Sequence, residues 1–117
     1  FILTFIERID SFVGIELDSY YPFKIPKKII VNDYQYQDLL NIDSNKLKLV
    51  GIDSCLCCSS ITCSNNWGPT LRIKSILEEI ENNMLIKRNI VNKIIINVIK
   101  RKYLINDINL YQYIEEL

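Results

Sequence analysis

Apolar and polar residues alternate with a period of two at the start of the chain and with a period near 3.6 towards its end. The runs Phe1 to Glu7 and Phe12 to Leu17 are rich in β-branched and aromatic residues and flank the polar Arg8-Ile9-Asp10-Ser11, so they predict an antiparallel hairpin. Lys28 to Val31 predicts a third strand, with Asn32-Asp33 as its turn. Between them, Pro22 and Pro26 fix two φ angles and remove two amide donors, which predicts a stiff, extended connector rather than a central strand. The next stretch is less periodic. Tyr34 to Leu40 suits a further strand or a short helical turn, and Asn41 to Lys48 reads as a surface loop.

From Pro69 onward, Ile73, Ile76, Leu77, Ile80 and Met84 fall on one helical face, with Lys74, Glu78 and Glu81 opposite. Thr70 is the predicted N-cap of that helix. A second, broader stripe runs through Ile86, Ile90, Val91, Ile94, Ile95, Val98 and Ile99, and Asp107 is placed to cap a last helix carrying Ile108, Tyr111 and Ile114. Strands followed by helices, without βαβ alternation, predict an α+β fold: a small antiparallel meander and then C-terminal helices. No repeat, low-complexity tract or long linker divides residues 1–117, which read as a single domain.

Composition narrows the chemistry. The 14 basic and 14 acidic residues cancel, leaving no basic face for a nucleic-acid backbone. Histidine is absent, which excludes Ser-His-Asp and Cys-His catalysis and imidazole-dependent zinc sites. The three glycines, Gly14, Gly51 and Gly68, are scattered, so no Gly-rich loop cradles a phosphate and no cofactor is expected. Charged residues interrupt every apolar run short of a bilayer's thickness, so no membrane span is expected. The chain opens without Met or a signal-peptide pattern and reads as a fragment lacking its first element.

Cys55, Cys57, Cys58 and Cys63 crowd into nine residues. A disulfide framework fits poorly, because adjacent cysteines rarely meet bridge geometry. A thiolate-metal cluster has the right number of sulfurs, but the spacing would draw every ligand from one short turn rather than from two knuckles, so no metal is assigned. Whatever the function, at least two of the four thiols are expected to be small buried hydrophobes, as free cysteines commonly are.

Two segments, taken together, resemble the ubiquitin-conjugating enzyme core domain. Tyr21-Pro22-Phe23-Lys24-Ile25-Pro26-Lys27 is similar to that family's Tyr-Pro-Phe-x-x-Pro-Lys connector, and Trp67-Gly68-Pro69-Thr70-Leu71-Arg72-Ile73 to its Trp-x-Pro helix start, with cysteines between. The resemblance covers roughly residues 1–83 and implies a chain that lacks the family's N-terminal helix. It implies an intracellular transferase, cytoplasmic or nuclear, that takes ubiquitin or a ubiquitin-like protein from a ubiquitin-activating enzyme onto a cysteine and passes it to lysine. Cys58 is the implied nucleophile, nine residues before Trp67 with Ile61 three residues after it, and Cys55, which opens the Cys55-Leu56 dipeptide, is its rival. Phe23, Gly68 and Pro69 match the surface that docks RING-type ligases. Filling the core and starting a helix are the structural roles that compete for Phe23 and Pro69. Trp67 is assigned to packing. The family's His-Pro-Asn tripeptide has no counterpart here. That omission leaves open a non-catalytic variant that binds ubiquitin or a ligase, or an unrelated α+β interaction domain.

Overall fold

Two rows of mostly aliphatic side chains define the inward face of the sheet. In the computed structural model, which describes residues 1–103, strands β1 (Ile2–Ile6), β2 (Ser11–Glu16), β3 (Lys28–Val31) and β4 (Tyr34–Gln35) form one antiparallel sheet in sequence order. Ile2, Ile15 and Ile29 pair across one row, and Thr4, Val13 and Val31 across the next. Cross-strand neighbours on a covered face pin the register, because a one-residue slip would turn both rows to solvent. Leu3, Phe5 and Phe12 stay exposed on the outer face, where the rings of Phe5 and Phe12 meet at 4.7 Å. Gly14 lies opposite Leu3, and a Cβ there would sit 2.7 Å from the Phe1 ring that covers it.

The hairpin turn is one 3-10 turn, Glu7–Ile9, closed by Asp10 in a left-handed conformation (φ 48°) whose amide donates to the Glu7 carbonyl. Asn32, also left-handed at φ 54°, makes the second turn, and its side chain accepts the Phe12 amide at 3.0 Å.

Four helices follow or flank the sheet: α1 (Tyr36–Leu39), α2 (Ser44–Lys48), α3 (Leu56–Ser59) and α4 (Ile73–Tyr103). The architecture is α+β, an antiparallel sheet succeeded by a C-terminal helix. Val13, Ile15 and Val31 of the sheet, Tyr36 and Leu40 around α1, Leu47 of α2, Leu56 of α3, and Ile76, Ile80 and Ile90 of α4 share one apolar core with Ile9. Among the described residues no helix is long and apolar enough to cross a membrane.

Several expectations change. Tyr34 to Leu40 realises both of its alternatives, β4 running straight into α1. The predicted loop at Asn41 to Lys48 holds α2, because Asp43 caps it by accepting the Asn45 amide at 3.1 Å. The connector is compact, not extended. The Asp18 carboxylate accepts the Tyr20 amide, the Tyr20 carbonyl accepts the amides of Phe23 and Lys24, and the Tyr21-Pro22 bond is cis. Helix α4 is one helix where two were predicted. Its 31 residues span about 46 Å, no Gly or Pro breaks it, and Ile76, Ile80, Asn83, Lys87, Ile90 and Ile94 continue one face through the expected junction. Thr70 is not its cap. Residues 68–71 form their own turn, α4 begins at Ile73, and the Tyr21 hydroxyl accepts the Ile73 amide at 3.2 Å. The helix predicted beyond Asp107 lies outside the described residues.

Candidate functional site

The cysteine loop takes its shape from residues far away in sequence. Glu79 stands on the inward side of α4, and its carboxylate accepts three hydrogen bonds: from the Tyr36 hydroxyl at 2.7 Å, the Ser60 hydroxyl at 2.8 Å and the Ile61 amide at 2.8 Å. Asn83, one turn further on, donates to the Tyr36 oxygen at 2.8 Å. The Thr62 hydroxyl lies 2.7 Å from that of Ser60, and the Thr62 amide donates to the same Ser60 oxygen. Among the described residues no buried side-chain polar atom lacks a partner, as burying this many polar groups demands. Burial, and then the hydrogen bond to the Glu79 carboxylate, hold the Tyr36 phenol far above its ordinary range, so it is a donor at every physiological pH.

Above this anchor, α3 is a single turn in which Leu56 is buried, and Ser60, the extended residue that ends it, is buried as well. Ser59 ties the turn together, its hydroxyl donating to the carbonyls of Cys55 and Leu56. Cys55, Cys57 and Cys58 therefore face solvent, and Cys63 is half-buried. The expectation that at least two thiols are sealed in the core is corrected, since the inward positions of the turn are taken by Leu56 and Ser60.

The three exposed sulfurs sit together. The Sγ atoms of Cys55 and Cys57 are 2.6 Å apart, those of Cys57 and Cys58 4.0 Å, and all three lie within 4.8 Å of one another. The hydrogen bond from the Cys57 thiol, followed by those from the backbone amides of Cys58 and Cys57, lowers the Cys55 thiol to about 7. Donating that bond, together with some desolvation, pushes Cys57 up to about 11. Sequence spacing puts Cys58 one residue from the place the resemblance gives its nucleophile, which Ser59 occupies, whereas the local electrostatics make Cys55 the more acidic thiol.

Asn66, the second of the two asparagines that follow this loop, has a structural task. Its Nδ2 donates to the carbonyls of Cys58 at 2.7 Å and Ser60 at 2.9 Å, so both amide protons are used.

The two motif segments meet in space. Trp67 Nε1 donates to the Pro22 carbonyl at 2.8 Å, the Trp67 and Tyr21 rings are 6.2 Å apart, and Tyr21 also receives the first amide of α4. Trp67 is half-buried against the core, a packing residue as its ring size suggests. Phe23 is 77% exposed and does not fill the core, and with Ile25, Ser64 and Trp67 it lines a shallow depression. Gly68 is half-buried and Pro69 exposed, and the Arg72 guanidinium donates to the Pro69 carbonyl.

Sequence reasoning missed Glu79, Tyr36, Asn83, Ser60, Thr62 and Asn66. One signal was present: Glu79 and Asn83 are polar residues four apart that fall beside Ile76 and Ile80 on the apolar side of α4. The chain matches no protein-family model, no curated protein and no solved structure.

Proposed function

We propose that this chain is a divergent ubiquitin-conjugating domain that carries ubiquitin, or a ubiquitin-like protein, as a thioester on a loop cysteine and passes it to an amine. The supporting observation is the join between Tyr21-Pro22-Phe23 and Trp67-Gly68-Pro69, held by the Trp67 to Pro22 hydrogen bond, with exposed thiols on the loop entering Trp67. That arrangement is what the resemblance requires of segments about 45 residues apart.

The chemistry suits a chain without histidine. A loop thiolate attacks the thioester carbonyl held on the activating enzyme, a new C–S bond forms, the old one breaks, and the activating enzyme's thiolate leaves with the electron pair. A thiolate needs no dedicated base for this exchange. In the second step a lysine amine attacks, a C–N bond forms, the loop thiolate leaves and the amine releases a proton to solvent. Cys58 by spacing and Cys55 by acidity are the two acceptors. Exposed Phe23, with Gly68 and Pro69 beyond Trp67, is the proposed surface for a RING-type ligase, a rigid aromatic next to a proline-fixed turn.

A second reading, a non-catalytic variant that binds ubiquitin or a ligase, is favoured by one observation. The Asn66 amide is spent on two backbone carbonyls, and no His-Pro-Asn is present to support the oxyanion of aminolysis. Incubation with ubiquitin, activating enzyme and ATP separates the two readings. A reductant-sensitive adduct that survives Cys55→Ala and disappears in Cys58→Ala assigns Cys58, and the converse assigns Cys55. No adduct in the unsubstituted chain leaves the binding module.

A further inference from the structure

We propose that Cys55, Cys57 and Cys58 together bind one soft d10 metal ion of the Zn2+ or Cu+ type, three thiolates from a single turn with the fourth position left open. Four sulfurs around zinc at about 2.3 Å stand roughly 3.8 Å apart along the edges of the tetrahedron. The separations here are 2.6 Å and 4.0 Å, with the third inside 4.8 Å, so they bracket that edge. Opening the short one by about an ångström takes only a χ1 adjustment of an exposed side chain.

The backbone beneath the sulfurs is already fixed. Ser59 holds the Cys55 carbonyl, Asn66 holds those of Cys58 and Ser60, and Glu79 holds Ser60 and Ile61. Little order remains to be imposed when an ion arrives, which is what preorganisation of a ligand set means. The donor set is all thiolate, with no carboxylate or imidazole in it, and so selects soft ions over Mg2+ or Ca2+. Cys63 is half-buried in a depression that Cys57 also lines, beside Ile25, Gln37 and Leu40, but its sulfur is not one of the three that lie within 4.8 Å of one another. Binding exchanges thiol protons for the ion, and the protons pass to solvent. One open position distinguishes this site from a closed four-ligand structural centre.

The test uses the reduced full chain, with Zn2+ in one arm and Cu+ in the other, desalted and then alkylated, so that bound metal and protected thiols are counted by mass spectrometry. One ion per chain, with Cys55, Cys57 and Cys58 protected and Cys63 modified, is the expected result in at least one arm. Cys57→Ser should weaken retention by more than the roughly 10- to 100-fold that loss of an outer-shell partner costs. Cys63→Ser should leave it unchanged. No ion retained in either arm, or equal loss in Cys63→Ser and Cys57→Ser, overturns the three-thiolate site. The ion and the thioester compete for the same sulfurs, so the metal-bound chain is not the acyl acceptor. Neither readout involves ubiquitin, so failure here leaves the thioester reading standing, and failure of the adduct assay leaves the metal site standing.

Discussion

Removing the Glu79 carboxylate is the most informative single perturbation. In Glu79→Ala the Ile61 amide loses the acceptor at 2.8 Å, the Ser60 hydroxyl keeps only Thr62, and the Tyr36 hydroxyl, on a side chain 1% exposed, keeps only Asn83, which donates to it. Three donors lose one acceptor. At about 1 kcal/mol net for each hydrogen bond, the loss comes to about 3 kcal/mol. Glu79 is itself half-buried, which argues for this lower figure over the larger values measured for fully desolvated charged partners. Urea unfolding should show the midpoint falling with an unchanged slope, and amides 56–62 should exchange faster than the strand amides. Glu79→Gln should cost less, because its carbonyl can still serve Tyr36 and Ser60, but its amide group faces the Ile61 N–H and cannot accept from it. A loss below about 0.5 kcal/mol, the range of an ordinary surface substitution, would refute the claim that this carboxylate holds the cysteine loop. So would strict additivity with Tyr36→Phe, since directly bonded partners should couple.

The other predictions concern the thiols and the joins around them. Cys55 alkylation should reach half its maximal rate near pH 7 and fall as pH drops below that, since a lowered thiol pKa means the thiolate is lost only in acid. Cys57→Ala should move that midpoint up towards the ordinary thiol value of about 8.5, and an unchanged profile would count against the Cys57 hydrogen bond. Asn66→Asp should disturb the loop more than Asn66→Ala, because a carboxylate would face the Cys58 and Ser60 carbonyls it cannot donate to, and hydrogen exchange of residues 55–62 would report the order. Trp67→Phe keeps an aromatic ring but drops the bond to the Pro22 carbonyl, for a loss of about 1 kcal/mol in urea unfolding.

The strands were legible because their two inner rows are built of Ile and Val, with one threonine, at alternate positions, a pattern that depends only on neighbours in sequence. The start of α4 was legible for the same reason at a different period. Its continuity was not, because the stripe broadens near residue 85, whereas the absence of any breaker from Leu71 to Tyr103 was the better guide. The short helices α1 and α3 fall below the length at which periodicity carries information. In sequence Glu79 is marked only by its place beside Ile76 and Ile80, four residues before Asn83, and its task is set by residues 43 and 19 positions away. The cysteines were legible as a group but not in their direction. Their exposure follows from Leu56 and Ser60 taking the inward places, and only the packed core decides that.

A synthetic peptide covering positions 51–67 would contain all four sulfurs and the Ser59 and Asn66 side chains that tie the turn, but not the helix and connector against which that turn is anchored. Ser60 and Ile61 would find water where α4 offers an oxygen, and the indole would have no carbonyl from the connector to meet. Transplanting the motif onto another scaffold therefore means moving a strip of helix and a proline turn with it, since the way these thiols are presented is a property of the folded molecule rather than of the seventeen letters that spell the loop.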